Sequence, residues 1–574
     1  METVSYKELK KFAKQPITAQ KRIAVLGDCA TQQLSVAIQG ESVRRGFPLA
    51  VYDADYDQMQ ALLLDAQSEL YAFAPDYILL FFSVQKLKLH FDDTETAVRE
   101  TFADTQMQRI RKLWDAISVH SHAKILMFDF PQIADAVFGS YALRTPASFG
   151  YQLRRLNYLC SEQIATAYPN VYPIALSQLA ADIGAGRFYD NRMWYLAKMS
   201  MQTEALPFTA SLVLDTVLAT QGRILKCVIT DLDNTLWGGV IGDDGVDGIE
   251  LGELGTGPAF VALQRFLKKL KQRGILLAVC SKNNEDTAKE PFEKHPDMVL
   301  HLEDFAIFVA NWDDKAQNIR MIQQTLNIGM DSLVFLDDNP FERNLVRGML
   351  PEVNVPELPE DPAMVPDYLE GLHLFEAAGY SEEDAARTAQ YRAEAQRVAL
   401  QQTFESYDAY LDSLEMQGII APFDSFHYAR IAQLTQRSNQ FNLRTIRYTE
   451  AEIHAIAENP EYVTRYMTLS DKCGEHGLIS AVILKKQGNA MFIDTWLMSC
   501  RVLRRGVETL LFDEIVKLTL ECGCDTLHAE YIPTAKNHMV SDFYDTCGMQ
   551  ALGEGQYTLN CLTYQPHPTK IRLV

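Results

Sequence analysis

The chain has 574 residues and a formal net charge of −22 at pH 7, and a length of this order predicts about three or four domains rather than one core. The negative charge disfavours nucleic acid and anionic membranes as partners, and no apolar run approaches the ~18 residues that span a bilayer. The ten cysteines include no CxxC pair. This usage indicates reduced thiols and a cytoplasmic location rather than a zinc site or a disulfide framework.

The first third alternates apolar, β-like runs (KRIAVLGD, YILLFFSV, KILMFDFP) with helical patterns, which predicts a parallel α/β domain over roughly residues 20–205. The first run ends in Gly-Asp followed by Cys29, an order that resembles the SGNH/GDSL hydrolases, whose nucleophilic serine follows Gly-Asp. The family's later Asp-x-x-His corresponds at best to Asp190 and Met193, without the histidine, so this motif supplies no base to activate the thiol. We expect Cys29 to be structural and the domain to bind or dock a partner without catalysis.

The motif DLDNTLWGG follows the apolar run CVIT and places Asp231, Asp233 and Thr235 directly after a buried strand. Open α/β sheets bind ligands beyond the carboxyl ends of their strands. Two carboxylates this close repel each other unless a cation or a proton offsets their charge. Mg²⁺ suits the position because it binds a few carboxylate oxygens, water and phosphate.

Three further motifs follow in order. The strand ILLAV leads into Cys280, Ser281 and Asn283, Lys315 begins a helix, and the strand SLVFL ends in a pair of aspartates. A hydroxyl followed by amides can hydrogen-bond phosphate oxygens. Only about 50 residues separate the first two motifs, so the sequence has no room for a sizeable cap domain. An open site would admit a large substrate, such as a group carried on another protein.

This order of motifs resembles the haloacid-dehalogenase (HAD) phosphotransferases, and a carboxylate nucleophile with charge-neutralising partners suits phosphoryl transfer. The resemblance implies that Asp231 is the nucleophile and Asp233 the general acid–base. The implied phosphate ligands are Thr235, Ser281, Asn283 and Lys315. The implied metal ligands are Asp231, the carbonyl of Asp233, Asp337 and Asp338.

The longer motifs NTLWGGVIGDDG, LAVCSKNN and DSLVFLDDNPFERNLVRGMLPEV resemble the FkbH-like family over roughly residues 220–565. Members of that family load a glyceryl unit from 1,3-bisphosphoglycerate onto an acyl carrier protein. The resemblance therefore implies a Mg²⁺-dependent enzyme whose partners are a phosphorylated three-carbon substrate and a carrier's phosphopantetheine arm.

The segment PELPEDPAMVP is typical of a stiff connector at a domain boundary, and a helix is predicted over residues 382–402. A polar cluster follows. Its residues either contact the substrate phosphate or the carrier protein, or form the polar end of a helix packed between domains. The cluster comprises Gln433, Arg437, Asn439, Gln440 and Asn442.

The last third predicts two strands, GLISAVILKK and AMFIDTWLMSC, joined by a turn and followed by RVLRRGVETLLF. This arrangement resembles GNAT acyltransferases, in which a turn opening a helix binds the pyrophosphate of coenzyme A. Arg504 replaces the first glycine of that turn, which favours a single phosphate such as that of phosphopantetheine. The candidates for the pantetheine site and its acyl thiol are Cys500, Arg501, Arg505 and Gly506.

Two cysteines are candidates for carrying an acyl group. Cys280 adjoins Ser281, and Lys282 or Lys315 could lower the pKa of its thiol, although side chains on a strand alternate between faces. Cys500 precedes the proposed pantetheine turn. The sequence slightly favours Cys280 and leaves both open.

Together these features predict a multidomain α/β protein. Its domains are an SGNH-like domain (1–215), a capless HAD domain (216–355), a helical connector (356–450) and a GNAT-like α+β domain (451–574). The predicted activity is glyceryl transfer to a carrier protein. A plain phosphatase is the alternative, and the intact acids disfavour a non-catalytic assembly protein.

Overall fold

The computed structural model describes residues 4–380, 388, 391–393, 397, 400, 404, 406–438, 440–534 and 536–574, without the side chains of Arg437 and Cys500. The chain forms two compact units, Met1–Ala219 and Thr220–Val574. Most of the helix predicted over residues 382–402, and Asn439 of the polar cluster, lie outside the described residues. Within the described ranges, no helix has the length and apolarity that a membrane span requires.

The first unit contains a five-stranded parallel sheet of order β2-β1-β3-β4-β5, as predicted. The strands are β1 (Lys21–Gly27), β2 (Leu49–Asp53), β3 (Tyr77–Phe81), β4 (Lys124–Phe128) and β5 (Val171–Ile174). Both sheet faces are buried, which explains the continuous apolar runs. The α-helices are Tyr6–Phe12, Gln32–Arg44, Met59–Leu64, Glu69–Ala72, Val84–Asp92, Phe102–His120, Phe149–Thr166, Leu176–Ile183, Ala185–Phe188, Asn191–Ala197 and Leu206–Thr220.

Cys29 and Asp190, the residues that resemble a hydrolase signature, both have contacts that serve the fold. Cys29 is 1% exposed and packs within an apolar cluster, where burial raises the pKa of its thiol well above the ordinary value. Asp190 caps the helix Asn191–Ala197 by accepting the backbone N–H of Arg192 at 2.8 Å. These contacts agree with the expectation that Cys29 is structural.

The second unit begins with a four-stranded parallel sheet of order β8-β7-β6-β9. Its strands are β6 (Cys227–Thr230), β7 (Leu276–Ser281), β8 (Ile307–Ala310) and β9 (Leu333–Leu336). Between β6 and β7 the chain forms only two helices, which agrees with the absence of a sizeable cap. The helices of this part are Ile241–Asp244, Gly257–Gln272, Glu285–Lys294, Lys315–Leu326, Pro340–Met349 and Val365–Gly371.

The proline-rich segment packs on this sheet's domain. Leu358, Val365 and Leu369 are 8%, 7% and 2% exposed and share an apolar cluster with Phe260. The helix Val365–Gly371 contacts the helix Gly257–Gln272. The segment predicted as a connector is therefore part of a folded core rather than a free spacer.

The remainder of the second unit is a mixed sheet of order β16-β17-β15-β14-β13-β12-β10-β18, with β11 beside β14. Its strands are β10 (Gln417–Ala421), β11 (Phe441–Asn442), β12 (Tyr462–Asp471), β13 (Gly474–Gln487), β14 (Ala490–Met498), β15 (Thr526–Glu530), β16 (Gln550–Gly553), β17 (Gln556–Asn560) and β18 (Arg572–Leu573). Its α-helices are Tyr407–Ser413, Tyr428–Arg437, Glu450–Glu458, Val507–Glu521 and Phe543–Thr546.

The parallel strands β14 and β15 diverge. They pair only over Ala490–Phe492, and β11 pairs with the far end of β14 through Phe441 and Asn442. The backbone N–H of Ile532 donates to the carbonyl of Leu443 at 2.8 Å. The chain itself therefore fills the gap between the two strands.

If the proline-rich segment belongs to the core, Leu369→Ala should destabilise the second unit by about 2–5 kcal/mol, the usual cost of a buried Leu→Ala change. Met364→Ala, at a side chain 56% exposed, is the matched control. Hydrogen exchange of the β6 and β9 amides, followed by mass spectrometry, would report the loss. Equal protection in both variants would contradict this assignment.

Candidate active site

The chemistry-bearing residues follow the carboxyl ends of neighbouring strands. Asp231 follows β6, Ser281 ends β7 and Asp337 follows β9, while β6 lies between the other two strands. Because parallel strands end at one edge, these residues converge in the crevice predicted from the sequence.

Lys315 bridges two of the carboxylates. Asp314 caps the helix Lys315–Leu326, which places the lysine in its first turn. The Nζ atom of Lys315 lies 2.7 Å from Oδ2 of Asp231 and 2.5 Å from Oδ2 of Asp337. Lys315 is 2% exposed. Burial works against its charge, but the two carboxylates outweigh that effect and raise its pKa.

Three carboxylates form a cluster that suits a small cation. Oxygens of Asp231, Asp337 and Asp338 lie within 4.8 Å of one another, and burial followed by the charge of Asp231 raises the pKa of Asp337 to about 6. Oδ1 of Asp231 is buried without a hydrogen-bond partner. An orphaned carboxylate oxygen within an acidic cluster is the donor set that Mg²⁺ prefers. These residues therefore fit magnesium.

The carboxylate of Asp233 is held by three donors. Nε1 of Trp237 and the backbone N–H of Ile241 donate to its Oδ1 at 2.9 and 3.0 Å, and Nδ2 of Asn283 donates to its Oδ2 at 3.0 Å. Burial raises its pKa, which favours a group that must carry a proton during catalysis. Its carboxylate is not one of the three clustered acids, so its predicted share in metal binding rests on its backbone carbonyl.

The predicted phosphate ligands surround this cluster. Oγ1 of Thr235 accepts the backbone N–H of Asp338 at 3.1 Å, and Ser281 is 2% exposed at the end of β7. Nδ2 of Asn283 donates to Asp233, and this amide group has a second N–H that could donate to a phosphate oxygen. Their contact with phosphate stays a prediction.

Sequence reasoning missed a residue that shapes the metal loop. Arg343 is 3% exposed and donates from Nη1 to the carbonyls of Asp337 and Asp338, at 2.8 and 2.7 Å. It lies in the motif DDNPFER, and a charged residue that close to two acids was a usable signal. Which backbone atoms it holds could not be deduced from spacing.

A crevice of about 430 Å³ opens beside the carboxylates. Thr235, Asp338 and Phe260 contribute to its lining, and its other charged side chains are Glu250 and Glu360. Within the described part of the chain, this lining contains acids and no cation. The crevice therefore suits an uncharged group better than an anion.

Cys280 does not line this crevice. Its side chain is 0% exposed and packs in an apolar cluster with Ile229 and Ile319. Burial raises the pKa of the Cys280 thiol, and Lys282 instead pairs with Glu342 at 2.6 Å. The expected lowering of this pKa is wrong, because burial outweighs the nearby lysine charge.

The arginines of the predicted pantetheine turn contact the protein interior. Arg501 and Arg505 are 7% and 5% exposed. Nη1 of Arg505 lies 3.5 Å from Nε2 of His476 and 3.8 Å from Oδ2 of Asp471. Burial opposes the charge of Asp471, but hydrogen bonds from His476 and Arg397 hold its pKa well below the usual range.

The turn itself is internally satisfied. Gly506, with φ +81°, caps the helix Val507–Glu521, and the carboxylate of Glu508 accepts the backbone N–H of Arg504 at 2.5 Å. A phosphate at this helix end would compete with that carboxylate. The side chain of Cys500 lies outside the described residues, so its predicted role stays open.

The parallel sheet, the clustered carboxylates and the buried lysine define a HAD-type domain without a cap. The FkbH N-terminal domain model matches residues 22–218. A crystal structure of the N-terminal part of the protein BF1531 from Bacteroides fragilis, described as containing a phosphatase domain complexed with Mg, is 45% identical and covers 66% of this chain and 100% of its own, with a TM-score of 0.63. The chain belongs to the FkbH-like family.

Two acetyltransferase structures match at low similarity. The ribosomal-protein-S18-alanine N-acetyltransferase from Escherichia coli is 12% identical and covers 26% of this chain and 97% of its own, with a TM-score of 0.21. The GNAT domain of S. lividans PAT is 16% identical, with 25% and 89% coverage and a TM-score of 0.20. These scores support no argument about activity. No curated protein matches the chain.

If the three clustered acids bind the metal, Asp337→Ala should weaken Mg²⁺ binding by about 10-fold or more, since it removes a ligand and releases Lys315. Calorimetric titration of the full chain with Mg²⁺ would measure the change. Asp313→Ala, an exposed acid at the same sheet edge, is the control. Ca²⁺ should bind differently because it prefers longer bonds and more ligands. Equal Mg²⁺ affinity in both variants would remove Asp337 from the site.

Proposed function

We propose that this protein takes a phosphoglyceryl group from 1,3-bisphosphoglycerate, removes its phosphate at the Asp231 site, and transfers the glyceryl unit as a thioester to an acyl carrier protein. Family membership supports the substrate class and the carrier. The observation that carries the phosphatase step is the cluster of Asp231, Asp337 and Asp338 bridged by Lys315.

In the proposed phosphatase step, the carboxylate of Asp231 attacks phosphorus and the bond to the ester oxygen breaks. Asp233 protonates that leaving oxygen and then takes a proton from the water that cleaves the aspartyl phosphate. Lys315 offsets charge on the phosphate oxygens. Mg²⁺, held by Asp231, Asp337 and Asp338, would supply further charge neutralisation when bound.

The acidic crevice supports an order of events. The proposal places the carboxyl group of the substrate in the crevice that Glu250, Glu360 and Asp338 line, where these acids would repel a free carboxylate. A thioester at the same carbon is neutral. We therefore propose that a cysteine thiolate first attacks the acyl carbon of 1,3-bisphosphoglycerate, which breaks the bond to the acyl phosphate and releases inorganic phosphate, and that the phosphate ester of the resulting thioester is removed afterwards.

A plain phosphatase is the second candidate, and the cysteines favour it. Of the nine cysteine side chains that the structure describes, seven are buried and two, Cys473 and Cys522, are partly buried. A thiol carrying an acyl group must be reached by two substrates in turn. In this alternative the last domain only recognises the substrate.

The roles proposed for Asp231 and Asp233 predict that their substitutions reduce the rate of phosphate release to different extents. Asp231→Asn should abolish phosphate release from a phosphate ester, because the amide keeps the shape of the side chain but is a poor nucleophile. Asp233→Asn should slow release by roughly 10²–10⁴-fold, the usual contribution of general acid–base catalysis. Steady-state release of inorganic phosphate would measure both, with circular dichroism as the folding control. Near-normal release by Asp231→Asn would overturn the assignment.

Covalent loading separates a transferase from a phosphatase. After incubation with 1,3-bisphosphoglycerate, the transferase should gain the mass of a glyceryl or phosphoglyceryl group that hydroxylamine releases. We expect Cys280→Ser to keep this adduct because its thiol is 0% exposed, and Cys500→Ser tests the other candidate. Intact-mass spectrometry of each variant would decide. Wild-type protein that releases phosphate without any adduct would favour the phosphatase.

A further inference from the structure

The first unit contains a pocket of about 300 Å³ at the carboxyl ends of its central strands. Asp28 follows β1 and Phe82 follows β3, and both residues line the pocket. The chain runs from β1 to β2 on one side and then crosses to β3 on the other, so the strand order reverses between β1 and β3. Open parallel sheets bind ligands at such a point. We call this site the switch-point pocket.

The switch-point pocket is separate from the buried thiol of Cys29. Cys29 shares its apolar cluster with Val25 of β1, whereas Met59 and Leu87, which line the pocket, share a cluster with Leu26. Neighbouring residues of a strand face opposite sides of the sheet. The apolar lining of the pocket therefore belongs to the sheet face opposite the cluster of Cys29, and a ligand there would be bound without contact to that thiol.

Two aromatic rings contribute to the lining of the pocket. The ring centroids of Phe82 and Phe130 lie 6.3 Å apart, and their planes are inclined by 35°. Asn157 fixes the backbone of Phe130, because its Oδ1 accepts the N–H at 2.9 Å and its Nδ2 donates to the carbonyl at 2.8 Å. Ile110 is 3% exposed and extends the apolar surface. Such a surface favours a flat ring.

The charges that line the switch-point pocket balance one another. Lys86 forms an ion pair with Asp57. Nη2 of Arg109 donates to Oε1 of Gln60 at 3.2 Å, and the charge of Arg109 offsets the carboxylate of Asp28 in the same lining. Among the described lining residues neither sign is in excess. The pocket therefore suits an uncharged ligand better than a phosphate or an ammonium group.

Three polar side chains in the lining can still bond to a ligand. Oδ1 of Asp28 accepts the backbone N–H of Ser83 at 2.7 Å, which fixes the carboxylate but leaves lone pairs for further N–H groups. The half-buried side chains of His90 and Gln106 form no hydrogen bond with the described residues. Burial and the nearby charge of Arg109 lower the pKa of His90. A neutral imidazole offers one donor and one acceptor, and a glutamine amide offers both.

We propose that the switch-point pocket binds the base of a nucleoside through an N–H group that donates to Asp28. A purine or pyrimidine has a flat ring that packs against Phe82 and Phe130. It also carries N–H donors beside carbonyl or ring-nitrogen acceptors, which match Asp28, His90 and Gln106. The volume of the pocket is at the lower end of the range for small-molecule sites. The inference concerns the first unit and is independent of the Asp231 site.

Calorimetric titration of the full chain with adenosine, inosine, cytidine and uridine tests the proposal. At least one nucleoside should bind wild type, and Asp28→Asn should bind it about tenfold more weakly or worse, since it loses a charged acceptor. Asp129→Asn is the matched control and should change the affinity less than about twofold. Asp129 also follows a strand of this sheet, β4, and accepts the backbone N–H of Ser177 at 2.8 Å, but it does not line the pocket.

A measurement on wild-type protein keeps the test independent of the folding of the variant. The probes are N6,N6-dimethyladenosine, 1-methylinosine, N4,N4-dimethylcytidine and 3-methyluridine, whose bases have lost their N–H groups. The analogue of the nucleoside that binds should bind about tenfold more weakly or worse.

Three results overturn the proposal. They are the absence of binding of all four nucleosides to wild type, equal affinity of wild type and Asp28→Asn, and equal affinity of the nucleoside and its methylated analogue.

Discussion

Repulsion among the acids at one edge of the central sheet is the constraint on which the second unit depends. Three carboxylates within 4.8 Å stay together only if positive charge and backbone restraints oppose their separation. Lys315 supplies the positive charge, and Asp314 caps the helix that Lys315 begins. Arg343 restrains the loop after β9 by donating to the backbone carbonyls of Asp337 and Asp338. Oδ1 of Asp231 is left without a hydrogen-bond partner, and a bound metal ion would coordinate this oxygen.

The sequence predicted what depends on strand ends. Apolar runs followed by Asp231, Ser281 and Asp337 required only that parallel strands finish at one edge, and they do. It could not predict that the side chain of Cys280 is buried in the core. Side chains alternate between the two faces of a strand, so a shift of one residue at the strand end decides whether a side chain faces the crevice or the core. It also could not predict the surroundings of Arg505, since its contacts with Asp471 and His476 join residues far apart in sequence.

In the C-terminal sheet of the second unit, backbone groups between two diverging strands and at one helix start are hydrogen-bonded within the chain itself. The segment from Phe441 to Leu443 fills the gap between β14 and β15, and the carboxylate of Glu508 accepts a backbone N–H at the turn. An incoming ligand would have to displace these bonds, and buried polar groups left unpaired are costly.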